Sequence, residues 1–295
     1  MITLLLNPAA GNGRSKKVAK RAATYLEEKK LPFRLIETKK SGDAAIICQK
    51  LAKEAKEGDL LLTIGGDGTF SEIARGLAGS KVAVGILRAG TGNDMLKSFS
   101  VPKKTEEALD YILNREPRKM DLCLLNGEPF ANESGAGFDV AVLDYAEQTK
   151  KYFKGLIPYL WGVIKTIFTY RCIHLKITAD GQTILEEDCL VLSVANGRFI
   201  GGGIPISPEA DPADGLLDVV IVRSCSKFRM LRRYLPGLMA GKILTFPDTS
   251  HYKAKEVTVE PMGGNEAFRV NIDGEIQAMQ YCHYKIAPAS LLIKM

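Results

Sequence analysis

Within the 295 residues no stretch is long and apolar enough to cross a bilayer. The longest apolar run, 156–168, is interrupted by Pro158, Gly162 and Lys165, whereas a spanning helix takes about 20 apolar residues. Six cysteines (Cys48, Cys123, Cys172, Cys189, Cys225 and Cys282) form no Cys-x-x-Cys pair, and three scattered histidines supply no zinc spacing. They read as separate reduced thiols of a cytoplasmic protein. Low-complexity tracts and fixed-period repeats are missing, which removes disordered and solenoid classes. The N-terminus has no basic segment and no cleavage site, so residues 3–7 read as a first strand and not as a signal peptide. The net charge of +6 is modest and dispersed, with no aromatic-basic platform, so a nucleic-acid partner is not expected. What is present is an ordinary globular balance of 46% apolar and 25% charged residues.

The first part of the chain alternates short apolar runs with amphipathic stretches. Strands are expected over 3–7, Phe33–Glu37, 59–64 and 82–87, with helices over 15–30 and 42–56 between them. That rhythm implies an α/β nucleotide-binding domain with a Rossmann-like parallel sheet, placed at residues 1–125. The rhythm then changes. One helix over 143–170 and another over 228–241 accompany strands over Ile173–Ala179, 189–195, 217–222, 256–260, 267–272 and 281–287, with Asp180-Gly181 as a hairpin signal. This second domain, 126–287, is expected to be a mostly antiparallel β-sandwich, with residues 288–295 returning to the first.

Chemistry is concentrated in two glycine loops that directly follow strands. Gly65-Gly66-Asp67-Gly68-Thr69 lets the backbone approach a phosphate, and the helix after it aims N–H groups at the same anion. An aspartate facing a polyphosphate implies a cation between them, which points to Mg2+. Gly90-Thr91-Gly92-Asn93-Asp94 is the second loop; loops on neighbouring strand ends share one crevice, bordered also by Asn7 and Thr38. No Gly-Lys-Ser/Thr follows the glycines, so this is not a Walker loop. Pro208 to Gly215 is a turn-rich acidic loop, and Asp273-Gly274-Glu275 follows an alternating strand; taken alone, these are equally a solvated turn and a hairpin.

Gly65-Gly66-Asp67-Gly68-Thr69 resembles the signature of the diacylglycerol-kinase catalytic-domain family, the bacterial lipid-kinase type related to sphingosine and ceramide kinases. Asn7-Pro8-x-x-Gly11, Gly90-Thr91-x-Asn93-Asp94, Gly135-x-Gly137-Phe138-Asp139, Gly201-Gly202-Gly203 and Asp214-Gly215-Leu216-Leu217-Asp218 follow in the family's order, so the resemblance spans essentially the whole chain. It implies an ATP- and Mg2+-dependent lipid kinase. Gly65, Gly66, Asp67, Gly68, Thr69, Gly90, Thr91, Asn93, Asn7 and Thr38 would hold the nucleotide. Glu275 would be the general base, with Asp67 and Asp273 as further catalytic candidates. Asp214, with backbone oxygens of Asp211 and Leu216, would hold a structural Mg2+. Arg88 departs from the family's usual proline.

Two rivals are an NAD-kinase-like enzyme, favoured by Asn132-Glu133 but lacking a Thr-Pro-x-Gly-Ser-Thr stretch, and a catalytically silent nucleotide-binding regulator. Lys150, Lys151 and Lys154 before the 156–168 run, and the basic amphipathic Phe228–Arg233 segment, are expected either to touch an anionic membrane at its inner face or to be core helices with a basic side. An exposed edge strand would allow a homodimer.

Overall fold

Strand and helix alternate at the start of the computed structural model, which describes residues 1–149, 157–263 and 267–295. The order is β1 (Ile2–Leu6), α1 (Arg14–Glu28), β2 (Phe33–Glu37), α2 (Asp43–Glu54), β3 (Leu60–Gly65), α3 (Asp67–Leu77), β4 (Ala83–Arg88), α4 (Asp94–Lys97) and α5 (Thr105–Leu113). β3 and β4 are buried almost throughout, which is why they read as unbroken apolar runs. The strands pair in parallel in the order β4-β3-β1-β2. The chain steps outward from β1 to β2, then back across β1 to β3. Right-handed crossovers therefore put α1 on one face and α2 with α3 on the other. The reversal opens a crevice beyond the carboxyl ends of β1 and β3.

The second half contains β5 (Arg118–Leu125), β6 (Glu128–Phe130), β7 (Glu133–Gly137), α6 (Phe138–Thr149), α7 (Ile157–Thr169), β8 (Ile173–Ala179), β9 (Gln182–Ala195), β10 (Leu217–Arg223), α8 (Lys227–Arg229), α9 (Leu235–Met239), β11 (Thr249–Ala254), β12 (Glu256–Pro261), β13 (Phe268–Ile272), β14 (Glu275–Met279) and β15 (Cys282–Ile293). Its strands pair antiparallel around a separate apolar core that includes Leu175, Ile177, Val194, Val219 and Val257. Asp180 and Gly181, both at positive φ, make the tight turn between β8 and β9. The fold is thus a mixed sheet, parallel at the start and an antiparallel sandwich afterwards.

β15 belongs to both halves. Its first part pairs with β5 and β12, whereas its end, still paired with β5, also runs parallel to β4, Leu292 beside Ala83 and Ile293 beside Val84. Between these parts the register slips from Ala287 to Leu291. Ala289 there is left-handed (φ 56°) and donates its N–H to Asp121 Oδ1 at 2.7 Å.

Two helical expectations need correction. The helix expected over 143–170 is α6 and α7; residues 150–156, which include Lys150, Lys151 and Lys154, lie outside the described residues. α6 starts at Phe138 because Gly137, at φ 112°, turns the chain out of β7. The helix expected over 228–241 is α8, a π-helical turn at Met230–Tyr234, and α9. Pro236 has no N–H to give to the carbonyl four residues back, so a regular α-helix is not continued through it.

Candidate active site

The carboxyl ends of β1 to β4 surround a cavity of about 480 Å3, lined by Asn7, Thr38, Gly66, Gly68, Thr69, Gly90, Thr91 and Glu275 among others. The first loop leaves β3 straight into α3, so the positive end of that helix opens on the cavity. The two glycine loops are pinned together: Gly90 donates its N–H to the Gly65 carbonyl at 2.9 Å. A Cβ on Gly90 would come within 2.5 Å of the Gly66 α-carbon, so only glycine allows this approach. Asn7 Nδ2 donates to Thr69 Oγ1 at 2.9 Å, fixing the loop after β1 to the start of α3. Thr38 is buried and donates its N–H to the Leu6 carbonyl, while Thr91 stands exposed on the rim. The Asn93 amide closes its own loop, accepting from the Gly90 N–H and donating to the Gly90 carbonyl at 2.8 Å, so it shapes the second glycine loop.

A second cavity, of about 260 Å3, lies behind these loops, with Asp67, Gly92, Asp94, Asn132, Glu133, Asp139, Asn271, Asp273 and Gly274 in its wall. The two cavities adjoin where chain neighbours divide between them, as at Gly66 and Asp67, Thr91 and Gly92, and Gly274 and Glu275. Asp67 Oδ1 accepts the N–H groups of Asp94 (2.5 Å) and Met95 (3.4 Å). Burial, and then the charge of Asp94, push the Asp67 carboxyl above the ordinary range. Asp94 is itself held by Lys97 Nζ at 2.8 Å and by the Gly202 N–H at 2.7 Å, which ties α4 to the Gly201-Gly202-Gly203 loop.

Glu275 and Asp273 part company. Asp273 and Gly274, at φ 49° and 96°, form the two-residue turn between β13 and β14. Asp273 accepts the N–H groups of Ala131 (2.9 Å), Asn132 (2.9 Å) and Glu133 (3.1 Å). Its oxygens thereby hold the strand entering the second cavity, whose wall Asp273 also lines. Glu275, the first residue of β14, is exposed and borders the nucleotide cavity.

The acidic loop departs further from expectation. Lys253 Nζ sits 2.5 Å from Asp214 Oδ2 and 3.7 Å from Asp218 Oδ2, an ammonium where the resemblance puts a divalent cation. Asp214 Oδ1 accepts the Leu216 N–H, and Asp211 Oδ1 accepts the Ala213 N–H. His251 Nε2 lies 2.7 Å from Asp218 Oδ1. The Asp214 carboxylate is therefore already taken, by the Lys253 ammonium at Oδ2 and the Leu216 N–H at Oδ1, and as it stands does not fit a metal. Among the described residues no group of three or more His, Cys, Asp or Glu side chains is placed to hold one. Lys253→Ala leaves Asp214 without its cation, while Asp218 keeps His251. The expected outcome, read by thermal unfolding without nucleotide, is a Tm lowered by several degrees and partly restored by millimolar Mg2+, whereas the parent responds neither to Mg2+ nor to EDTA. A variant indifferent to Mg2+ would discard the substitution of ammonium for metal.

This geometry, a glycine-lined anion cradle abutting an acidic cavity, coincides with matches along the sequence. The profile of the diacylglycerol kinase catalytic domain matches residues 1–125, and that of the YegS C-terminal NAD kinase beta sandwich-like domain matches residues 133–295. The chain belongs to the diacylglycerol-kinase catalytic-domain family. A diacylglycerol kinase of Mycobacterium tuberculosis is 29% identical, covering 99% of this kinase and 94% of the relative. One from Bacillus subtilis is 26% identical over 94% and 90% of the two chains. The crystal structure of a diacylglycerol kinase from Bacillus anthracis superposes with a TM-score of 0.73 at 26% identity, covering 99% of this kinase and 95% of that chain. The protein is a kinase, and its relatives make it a lipid kinase in general terms.

Several residues of the first cavity and of the acidic loop went unread in the sequence. Lys39 and Lys40 line the nucleotide cavity directly after Thr38. Their signal is position, since residues just past the carboxyl end of a parallel strand face the crevice. Lys253 sits in β11, a largely polar strand with no sequence signal of its own, and only the pairing of β11 with β10 brings it to Asp214.

Proposed function

We propose that this kinase transfers the γ-phosphoryl group of ATP, with Mg2+, to the hydroxyl of a lipid such as diacylglycerol. One observation carries the reading: Glu275 lines the glycine-loop cavity while its neighbour Gly274 lines the second, so a triphosphate in the first and an alcohol in the second would meet beside its carboxylate. In-line transfer asks the protein chiefly to position the reactants, stabilise charge and accept the hydroxyl proton. The N–H groups at the start of α3 and the Lys39 and Lys40 side chains would meet phosphate oxygens. Glu275 is the carboxylate that would take the proton. Mg2+ accompanying the nucleotide would neutralise phosphate charge, and Asp67 fits it, since Oδ2 beside Gly92 is left over after Oδ1 has accepted two N–H groups.

The deciding experiment follows labelled phosphate from ATP into dispersed diacylglycerol, other lipid alcohols and NAD. Mg2+-dependent labelling of a lipid and not of NAD is expected; labelling of NAD alone would overturn the reading. A membrane contact belongs to the same proposal. Trp161, Ile164 and Phe168 on α7, and Phe228 and Leu231 beyond it, are exposed apolar side chains, with Lys165, Arg232 and Arg233 among them. Each basic residue contributes about 1 kcal/mol near an anionic leaflet. Co-sedimentation with liposomes is expected only when anionic lipid is present, and equal binding to neutral liposomes would discard the electrostatic part.

A further inference from the structure

Two buried carboxylates in the second cavity have no role in the chemistry assigned so far. Glu133 opens β7 and is 2% exposed; Asp139 lies in the first turn of α6, directly after that strand. Both line the cavity. Glu133 Oε1 and both oxygens of Asp139 are buried and lack a well-aligned hydrogen bond among the described residues, although the Ser193 hydroxyl lies near Glu133 and the first N–H groups of α6 near Asp139. Asn132 Oδ1, from the same wall, is also unmet. Of the side-chain donors nearby, the Asn132 amide goes to the Phe199 carbonyl at 3.0 Å and the Asn271 amide to Glu133 Oε2 at 3.4 Å, while the buried Ser193 and Tyr170 hydroxyls are themselves unmet and fewer than the unmet acceptors.

Gly135 makes room for this pair. A Cβ there would lie 2.3 Å from Asp139 Oδ2 and 2.6 Å from Glu133 Oε1, so both carboxylates crowd one bare α-carbon. Burial, and then the charge of Asp139, push the Glu133 carboxyl well up. Burial raises Asp139 as well, against the opposing N–H groups of the first turn of α6. Unmet buried acceptors of this kind are costly unless a ligand supplies donors.

We infer that Glu133 and Asp139 form an acceptor-headgroup subsite that binds hydrogen-bond donors of the lipid other than the hydroxyl being phosphorylated. The inference rests on the lipid-kinase reading above and narrows it. A diacylglycerol offers one hydroxyl, which goes to the phosphoryl group, and ester carbonyls that are acceptors like the wall itself. A headgroup with further hydroxyls, or with an ammonium, matches the wall. One proton shared by the two carboxyls still leaves unmet acceptors in excess of donors.

The test compares three acceptors of equal chain length in mixed micelles with Mg-ATP: a monoacylglycerol, a long-chain amino diol and a 1,2-diacylglycerol. At least one multi-donor acceptor is expected to exceed the diacylglycerol in kcat/KM by about 10- to 100-fold, the effect of leaving buried polar groups unpaired. Preference for the amino diol identifies an ammonium as the ligand group; preference for the monoacylglycerol identifies hydroxyls. In Glu133→Gln and Asp139→Asn the acceptor KM should rise by a similar factor and the preference collapse toward one, with the KM for ATP unchanged. Thermal unfolding checks folding, and loss of an unpaired buried charge should leave the Tm of Glu133→Gln at or above the parent's. Equal or better use of diacylglycerol, or an unchanged acceptor KM in both variants, overturns the subsite while leaving the lipid kinase intact. No transfer to any lipid by protein that still binds nucleotide overturns the lipid-kinase reading and the subsite with it.

Discussion

Glu275→Gln should lower phosphoryl transfer by about 10²- to 10⁴-fold, the usual contribution of a positioned general base, while nucleotide affinity stays at the parent level. Glu275 is exposed at the first position of β14, and among the described residues its side chain has no hydrogen-bond or ion-pair partner. The amide is nearly isosteric, so the substitution removes only the capacity to accept a proton. Single-turnover transfer measured beside nucleotide binding separates the two. A parent-like rate would take Glu275 out of the mechanism.

Asp67→Asn is expected to act on the other reactant. Oδ1 keeps its role as acceptor for the Asp94 and Met95 N–H groups, but the atom beside Gly92 becomes a donor where a cation is required. Removing one electrostatic partner from a preorganised site typically costs about 10²- to 10³-fold, and that loss is expected in kcat/KM for Mg-ATP. Stability should move the opposite way. The folded protein raises the Asp67 carboxyl through burial and through Asp94, so near neutral pH the fold carries a charge it disfavours. In the parent this burden eases as pH falls through the raised folded value toward the unfolded value of about 4, since the folded state then binds the proton more readily. Asn removes it at every pH, so the Tm of the variant should be higher at pH 7 and should converge on the parent's in acid. An unchanged Mg2+ dependence would count against Asp67 as the partner of the metal-bearing nucleotide.

Sequence made the nucleotide half legible because its signals are local. Runs such as Leu60–Gly65 are apolar because both faces are covered, and a glycine loop placed directly after such a run has few other uses. The same locality gave the turn at Asp273-Gly274 but not its partners. The three N–H groups that Asp273 accepts lie about 140 residues away in sequence, so whether Asp273 or Glu275 faces the reactants is a matter of tertiary pairing. β5 to β7 passed unnoticed for a related reason. They are short or flanked by polar residues, and β7, Glu133-Ser134-Gly135-Ala136-Gly137, is almost devoid of the large apolar side chains that announce a strand. Lys253 standing in for a metal was equally hidden, because it depends on the register that sets Lys253 opposite Asp218.

The kinked strand β15 bears on how the two reactants can be brought together. Its end runs beside β4 while its start lies in the sandwich, and β5 stays paired with it on both sides of the register slip, so any relative swinging would bend the two strands together there. Ala289 occupies that pivot, and Asp121, which also accepts the Gly215 N–H at 2.7 Å, clasps it to the acidic loop. Torsion there would carry the wall bearing Glu275 toward or away from the phosphate cradle as one piece, with Asp121 as the latch that sets its resting angle.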